Sequence, residues 1–481
     1  MIHLRPIIFV VGLLLATLAA TMVVPALVDL ADNNADWRAF LGSAVATFFI
    51  GGLLVLLTYD DRPVDLSIKD AFLLTTLSWV SLTAFAALPF IGLGLSYTDA
   101  YFETMSGLTT TGSTVLTGLD SLPRGILLWR AILNGVGGIG IIVMAILILP
   151  YIRVGGMQLF HAESSDRSEK ILPRALELVA ATAAIYSALI AICAATYFML
   201  GMSAFDAACH ALATLATGGF STHDLSFGFF QSPSIEWVAV VFMVLGALPF
   251  VVLIRAATGD AKALFRDEQV RGFISFLFVV VVILAIWLTL KRDVEFAEAM
   301  RLSAFNVVSI VTTTGFASTD YTTWGTFAIG LFFLLTFVGG CSGSTSGAIK
   351  IYRLQVAGLL TQRHFTHLMS PHRIVNLTYN GRRLPNDVPF SVVAFLAIYM
   401  ATVGIFTVLL SAMGLDFTTS LSSASQAIGN VGPGLGQYVG PSGNFATLPP
   451  AAKWTLAFAM LLGRLELFTV LVLFRPEFWQ R

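Results

Sequence analysis

The residues of this chain best suited to chemistry carry no charge. Threonine runs ending in glycine, "SGLTTTGST" at 106–114 and "SIVTTTGFAST" at 309–319, lie between long apolar stretches. Two related endings, "ATGGF" at Gly219 and "GNVGPG" at Gly432, complete a set of four, with the glycines spaced by 107, 96 and 117 residues. Backbone without helical hydrogen bonds is tolerated inside a membrane only where it is buried in protein or lines water. Four such ends on one axis would form a ring of carbonyl oxygens able to replace the water shell of a monovalent cation. Glycine permits the backbone angles and close approach that such a ring needs. The candidate ion-binding residues are Thr110, Thr111 and Gly112; Thr217, Gly218 and Gly219; Thr313, Thr314 and Gly315; and Asn430, Val431 and Gly432. In the second set the adjoining Gly218 leaves the register open by one residue. No ring of carboxylates accompanies them, which argues against a divalent cation. The competing reading, that Thr/Gly pairs only tighten helix packing, suits one copy better than four.

The surrounding sequence must position these ends within lipid. Of 481 residues, 57% are hydrophobic and only 11% charged, less than half the usual charged share of a soluble protein. Mean hydropathy is +0.84. Apolar runs repeatedly reach the roughly 20 residues of a bilayer-spanning helix. Expected spans cover 6–29, 38–58, 70–94, 125–150, 175–201, 234–256, 271–290, 325–350, 389–413 and 451–474. The first is too long for a signal peptide and lacks an A-x-A site, so it reads as a retained span. Half-polar segments at 99–111, 206–217, 297–313 and 417–430 are too short to span and read as re-entrant helices that end at the glycines. Asp99 and Asp206, each 13 residues before its glycine, are expected to cap the first two. Glu298 and Asp416 sit further out, in a looser register. The negative C-terminal helix dipoles, converging on the ring, favour a cation.

The expected fold is therefore an all-α integral membrane protein with four pseudo-repeated span–pore helix–span units around a central pore, plus an N-terminal hairpin. Its parts are the hairpin at 1–60, repeats at 70–150, 175–258, 268–350 and 389–475, and a cytoplasmic linker at 351–388. With the N-terminus inside, 19 of the 27 Lys and Arg fall on the cytoplasmic side and 7 outside, as the positive-inside rule requires. The three cysteines, Cys193, Cys209 and Cys341, imply neither a disulfide framework nor a metal site.

Halfway through the span at 325–350 stands "GGCSGSTSG": Gly339, Gly340, Cys341, Ser342, Gly343, Ser344, Thr345, Ser346 and Gly347. Each Gly costs a helix about 1 kcal/mol relative to Ala, so a break and a loop beneath the ring are expected. A tightly packed kink is the alternative. Gly340-Cys341-Ser342-Gly343 also matches the G-x-S-G of intramembrane serine proteases, which need a histidine within reach; only His210 lies at membrane depth. Lys350, at the inner end of this span and grouped with the gate, either positions the span against the cytoplasmic surface or snorkels toward water, the reading preferred here. Arg464 lies 13 residues into the last span, where a charge costs about 2.5–3.5 kcal/mol, so it should face protein or water. Two roles stand for it: an electrostatic barrier to cations, or a donor to the freed carbonyls of 339–347. Glu466 should point elsewhere on that helix. Asp99, Glu103 and Asp206 near the outer mouth also allow a coupled-ion site. No phosphate-binding loop or nucleic-acid motif is present; "GVGGIG" at 135–140 lies inside a span.

"TDAYFETMSGLTTTGST", "TTTGFAST", "GGCSGSTSGAIKIYR" and "GNVGPG…GRLELFTVL" together resemble the Trk/Ktr/HKT superfamily of potassium transporters, over residues from about 70 to 475. The extra hairpin and the 351–388 segment resemble the TrkH branch. The resemblance implies potassium uptake across the bacterial cytoplasmic membrane, with Gly112, Gly219, Gly315 and Gly432 as the K+ filter and the 339–347 loop as a gate. Relatives that prefer Na+ often carry Ser at the first filter position, where this chain has Gly112. It also implies a homodimer above a TrkA-like cytoplasmic ring that binds NAD(H) or ATP/ADP, with no cofactor bound to this chain itself and no enzymatic activity. K+ symport with H+ or Na+ is the alternative.

Overall fold

The computed structural model describes residues 2–60, 67–147, 171–385, 387–436 and 438–480. The end of the first repeat at 148–150 and the basic residues Arg62, Arg153, Arg167, Lys170 and Arg481 lie outside the described residues. Among the described residues, seven helices are long and apolar enough to cross a membrane, and two sharply bent helix pairs pass the same test.

The chain opens with a hairpin, α1 (Leu4–Ala31) and α2 (Trp37–Thr58). The two cross at Gly12 and Gly51, where a β-carbon on either would stand 2.8 Å from the other's carbonyl oxygen. Small residues admit that close approach, which favours helix association in lipid.

Four span–short helix–span units follow. The first comprises α3 (Ile68–Ala86), α4 (Tyr97–Leu108) and α5 (Arg124–Leu147). The second comprises α6 (Ile171–Met199), α7 (Ala204–Leu215), α8 (Pro233–Gly246) and α9 (Phe250–Ala257). The third comprises α10 (Glu268–Arg292), α11 (Phe296–Val311), α12 (Thr326–Leu335) and α13 (Ile351–Met369). The fourth comprises α14 (Asp387–Ala412), α15 (Phe417–Gly429), α16 (Pro450–Arg464) and α17 (Phe468–Leu471). Between α13 and α14 a two-residue ribbon pairs β1 (Thr378–Tyr379) with β2 (Arg382–Arg383).

The breaks correct two expected spans. The helices at 234–256 and 451–474 are not continuous: α8 and α9 meet at 103°, and α16 meets the 468–474 segment at 108°. Pro249 ends the first by removing a backbone donor. In the second, Glu466 and Leu467 both adopt left-handed φ, +59° and +52°. The third span breaks as expected, between Leu335 and Ile351. Three of the four inner helices are therefore bent or interrupted near the depth at which the short helices end.

Candidate functional site: a ring of four loops and the loop beneath it

Three of the four short helices begin on a side-chain cap; α11, preceded by Glu295, has no such hydrogen bond. Ser96 and Ser203 accept from the backbone N–H of Asp99 and Asp206, and Asp416 accepts from Thr419. Asp99 and Asp206 are thus not the caps expected of them: each sits three residues after a capping serine, near the positive helix end, and accepts that serine's hydroxyl proton.

All four short helices end in the same way. Thr110, Thr217, Thr313 and Asn430 have φ of +50°, +49°, +59° and +53°. The following N–H groups, of Thr111, Gly218, Thr314 and Val431, reach back five residues to Ser106, Ala213, Ser309 and Gln426 at 2.8–3.0 Å. This is a Schellman closure, with Thr or Asn in the left-handed position that Gly usually takes. Such residues cost of order 1–3 kcal/mol each and persist where the surroundings impose them. Two residues further on, Gly112, Gly219, Gly315 and Gly432 have φ of +89°, +72°, +83° and +102°. The repeated conformation places Gly219, not Gly218, in register with the other three.

The four loops close on one another. A β-carbon on Gly112 would stand 2.7 Å from the Gly218 carbonyl oxygen, and one on Gly432 would stand 2.6 Å from that of Thr111. Gly219 abuts the Thr314 carbonyl and Gly315 that of Val431 even more closely. Loop one thus rests on loop two, two on three, three on four, and four on one. Among the described residues, only the Gly432 carbonyl of these twelve residues accepts a hydrogen bond, from Ser113 Oγ at 2.9 Å. Buried carbonyls are normally paired; here a cluster is left with its lone pairs free. Gly112, Gly219 and Gly315 keep partial exposure while the threonines before them are buried.

Buried polar side chains brace the ring; the sequence reading named only Glu103 among them, as an acid of the outer mouth, and missed the rest. Arg130, 1% exposed, donates to Glu103 Oε1 at 2.8 Å and to the Ser221 carbonyl at 2.7 Å, and its guanidinium lies over the Phe220 ring. Glu103 in turn accepts from Thr114 Oγ1 and from the Val115 N–H. This pair ties loop one to loop two. Asn134 donates to the Gly107 carbonyl and accepts from Phe220 N–H. Arg301 on α11 donates to Glu236 on α8 at 2.6 Å. The signal available in sequence was a charged residue inside each apolar stretch. Asp99 pairs with Lys453 at 2.6 Å, and Asp206 accepts from Thr222 at 2.7 Å, so all three outer acids are held by protein partners.

Residues 336–350 form the loop between α12 and α13. Its base is a short parallel bridge between Val338 and Ile349. Gly339 through Gly347 are buried and contact the ends of three short helices. Thr345 Oγ1 donates to the Leu215 and Gly246 carbonyls at 3.1 and 2.9 Å. Gly347 N–H reaches Thr313 Oγ1 at 2.7 Å, and Ala348 N–H reaches the Gly429 carbonyl at 2.8 Å. Arg464, 3% exposed, donates to the Thr345 carbonyl at 2.7 Å and to the Gly137 carbonyl on α5 at 3.1 Å. The structure therefore brings Arg464 and the loop together.

Lys350 does not snorkel. It is 8% exposed and turns back to the Ser346 carbonyl and hydroxyl, because the backbone break leaves acceptors nearer than water. Glu466 pairs with Arg353 on α13, and the Arg353 guanidinium lies 3.7 Å from the centre of the Phe395 ring. A cavity of only about 30 Å³ remains among Ser344, Ser346, Lys350, Arg464 and Glu466. The nucleophile reading of Ser342 fails: both His210 ring nitrogens are engaged, by the Asp206 carbonyl and by Ser221 Oγ.

A family model described as TrkH, a cation transport protein, matches residues 38–481. The chain is 47% identical to the Trk system potassium uptake protein TrkI of Halomonas elongata, covering 99% of this chain and 97% of that protein. It is 38% identical to the Trk system potassium uptake protein TrkH of Escherichia coli K12, covering 99% and 100%. The crystal structure of the potassium transporter TrkH from Vibrio parahaemolyticus superposes with a TM-score of 0.91 at 34% identity over the full length of both chains.

Proposed function

Since the chain belongs to the TrkH branch of the Trk/Ktr/HKT superfamily, a family of inner-membrane transporters and not of enzymes, we propose that it takes up potassium through the ring of four loops. The observation that carries this reading is the closed contact of each filter glycine with the next loop's carbonyl. A dehydrated monovalent cation at that ring would be held by backbone oxygens and favoured by the C-terminal dipoles of α4, α7, α11 and α15. The potential supplies the drive: one charge crossing 100 mV gains about 2.3 kcal/mol.

The 339–347 loop serves as the gate in this reading. It lies against the short-helix ends on the opposite side from their capped starts, and Arg464 places a guanidinium among its carbonyls. That contact serves both roles expected of Arg464. The cation repels K+ from the inner path, and its hydrogen bonds keep the loop raised. Opening requires the Thr345 contacts to be released together. Lys350 connects the loop to α13, which faces the cytoplasm, and the Arg353–Glu466 pair ties α13 to the break after α16. A TrkA-like nucleotide-binding ring under a transporter homodimer would act on that helix.

Passive conduction is favoured over symport, because Asp99, Glu103 and Asp206 are each committed to a protein partner. The test is Rb+ uptake in a bacterium lacking its own K+ transport, comparing the native chain with Gly315→Ser. Uptake by the native chain and its loss in the variant support the filter; equal uptake by both removes it.

A further inference from the structure

A second cavity lies outside the ring, at the start of α14. α13, the β1–β2 ribbon and the start of α14 share a small core of their own: Tyr352, Val356, Leu377, Tyr379, Leu384, Val388 and Val392. Beside that core is a cavity of about 590 Å³, within the size range of small-molecule sites. Its lining combines apolar side chains, Leu360, Leu384, Phe390 and Val393 among them, with two guanidinium groups, Arg363 and Arg383. Among the described residues, neither guanidinium has a hydrogen-bond or ion-pair partner.

The position of the cavity narrows the choice of ligand. α14 is a membrane span of 26 residues, and basic residues place its beginning at the cytoplasmic face. Phe390 and Val393, in its first two turns, are 78% and 54% exposed. They therefore face the acyl region just below the inner headgroups, while Arg363 and Arg383 lie at headgroup level. A molecule that satisfies both sets of groups carries a phosphate-type anion for the guanidinium pair and hydrocarbon for the apolar side chains. Inorganic phosphate would use only the guanidiniums, and a neutral lipid only the apolar side chains.

We infer that this cavity binds one anionic phospholipid of the cytoplasmic leaflet, its phosphate between Arg363 and Arg383 and an acyl chain along Phe390 and Val393. Bound there, the lipid braces α13 against α14. The inference does not rest on the transport reading, and its test reads binding alone.

The full chain, purified in detergent, is examined by native mass spectrometry with phosphatidylglycerol or phosphatidylcholine added. The native chain retains one phosphatidylglycerol, and an Arg363→Gln/Arg383→Gln double variant retains it about tenfold less. Arg373→Gln, in the segment between α13 and β1 and outside the cavity lining, retains it as the native chain does. Equal retention of phosphatidylcholine, or full retention by the double variant, overturns the site. Displacement of the bound lipid by millimolar inorganic phosphate makes it a free-anion site and overturns the lipid assignment. Independently of any variant, a photoreactive phosphatidylglycerol labels peptides within 360–394 of the native chain. Labelling elsewhere, with none there, also overturns it.

Discussion

Gly112 meets the carbonyl oxygen of Gly218 across the seam between the first two loops, leaving 2.7 Å for any β-carbon placed there. The same glycine has φ of +89°, so a side chain at this position meets both a steric and a backbone penalty. Gly112→Ser must push the two loops apart. The expected result is a loss of K+ over Na+ discrimination of about tenfold or more, since 1.4 kcal/mol of misfit already amounts to tenfold. Competition of Na+ against Rb+ uptake measures it; unchanged discrimination would separate the seam from selectivity.

Arg464 and the loop it holds should act in the same direction when removed. Arg464→Ala and a deletion of 341–346 are each expected to raise the maximal rate of K+ uptake several-fold, because both remove the inner obstruction. Arg464→Lys keeps the charge but not the two-pronged hydrogen bonding to Thr345 and Gly137. It therefore separates the two contributions: a rate near native assigns the barrier to charge, a raised rate to the hydrogen bonds.

The Glu103–Arg130 pair is buried, with both side chains almost inaccessible. Removing one member leaves the other charge uncompensated, at a cost of about 3–5 kcal/mol. Glu103→Ala is expected to lower the thermal midpoint in detergent sharply, while Arg130→Met combined with Glu103→Leu recovers part of the loss. A double variant no better than the single ones would contradict this account.

Outside the spans, His223 connects two segments of the outer surface. Its Nδ1 meets Asp120 Oδ1 at 2.5 Å and its Nε2 lies 3.4 Å from Asp206 Oδ1. Burial alone would lower its pKa, but the two carboxylates raise it above the usual 6.5, and the Asp120 carboxyl is lowered by the same hydrogen bond. A raised folded-state pKa contributes stability that is complete below the unfolded value and is lost as pH rises through the folded one. The thermal midpoint should therefore fall as pH rises past the ordinary histidine value of about 6.5. His223→Gln should flatten that slope without abolishing folding. A slope that survives the substitution assigns the effect to another group.

The sequence carried the repeats because they rest on local signals: apolar runs of spanning length, short half-polar helices and a terminal glycine. It also carried the break at 339–347, where glycine density rules out a helix. It did not carry the bends after Gly246 and Arg464. In the first, one proline follows a helix whose apolar run continues beyond it; in the second, Glu466 and Leu467 take left-handed backbone that neither residue type announces. The caps are Ser96 and Ser203 instead of the aspartates, because each serine lies just outside its helix, three residues before the acid that marks the positive end. Lys350 was misplaced for a different reason. Snorkelling assumes an intact helix, and here the interrupted backbone offers carbonyls within reach. The buried Glu103–Arg130 partnership joins residues on separate helices, and no single-sequence pattern reports that pairing.

The head-to-tail contact of the loops has a further consequence. In a cyclic arrangement where every member leans on its successor, no member can retreat without dislodging the one behind it and undercutting the one ahead. In the filter proposed above, the aperture is therefore a collective property with a single size. On that reading a control mechanism has little to gain by working there, which leaves the movable part to another stretch of the route.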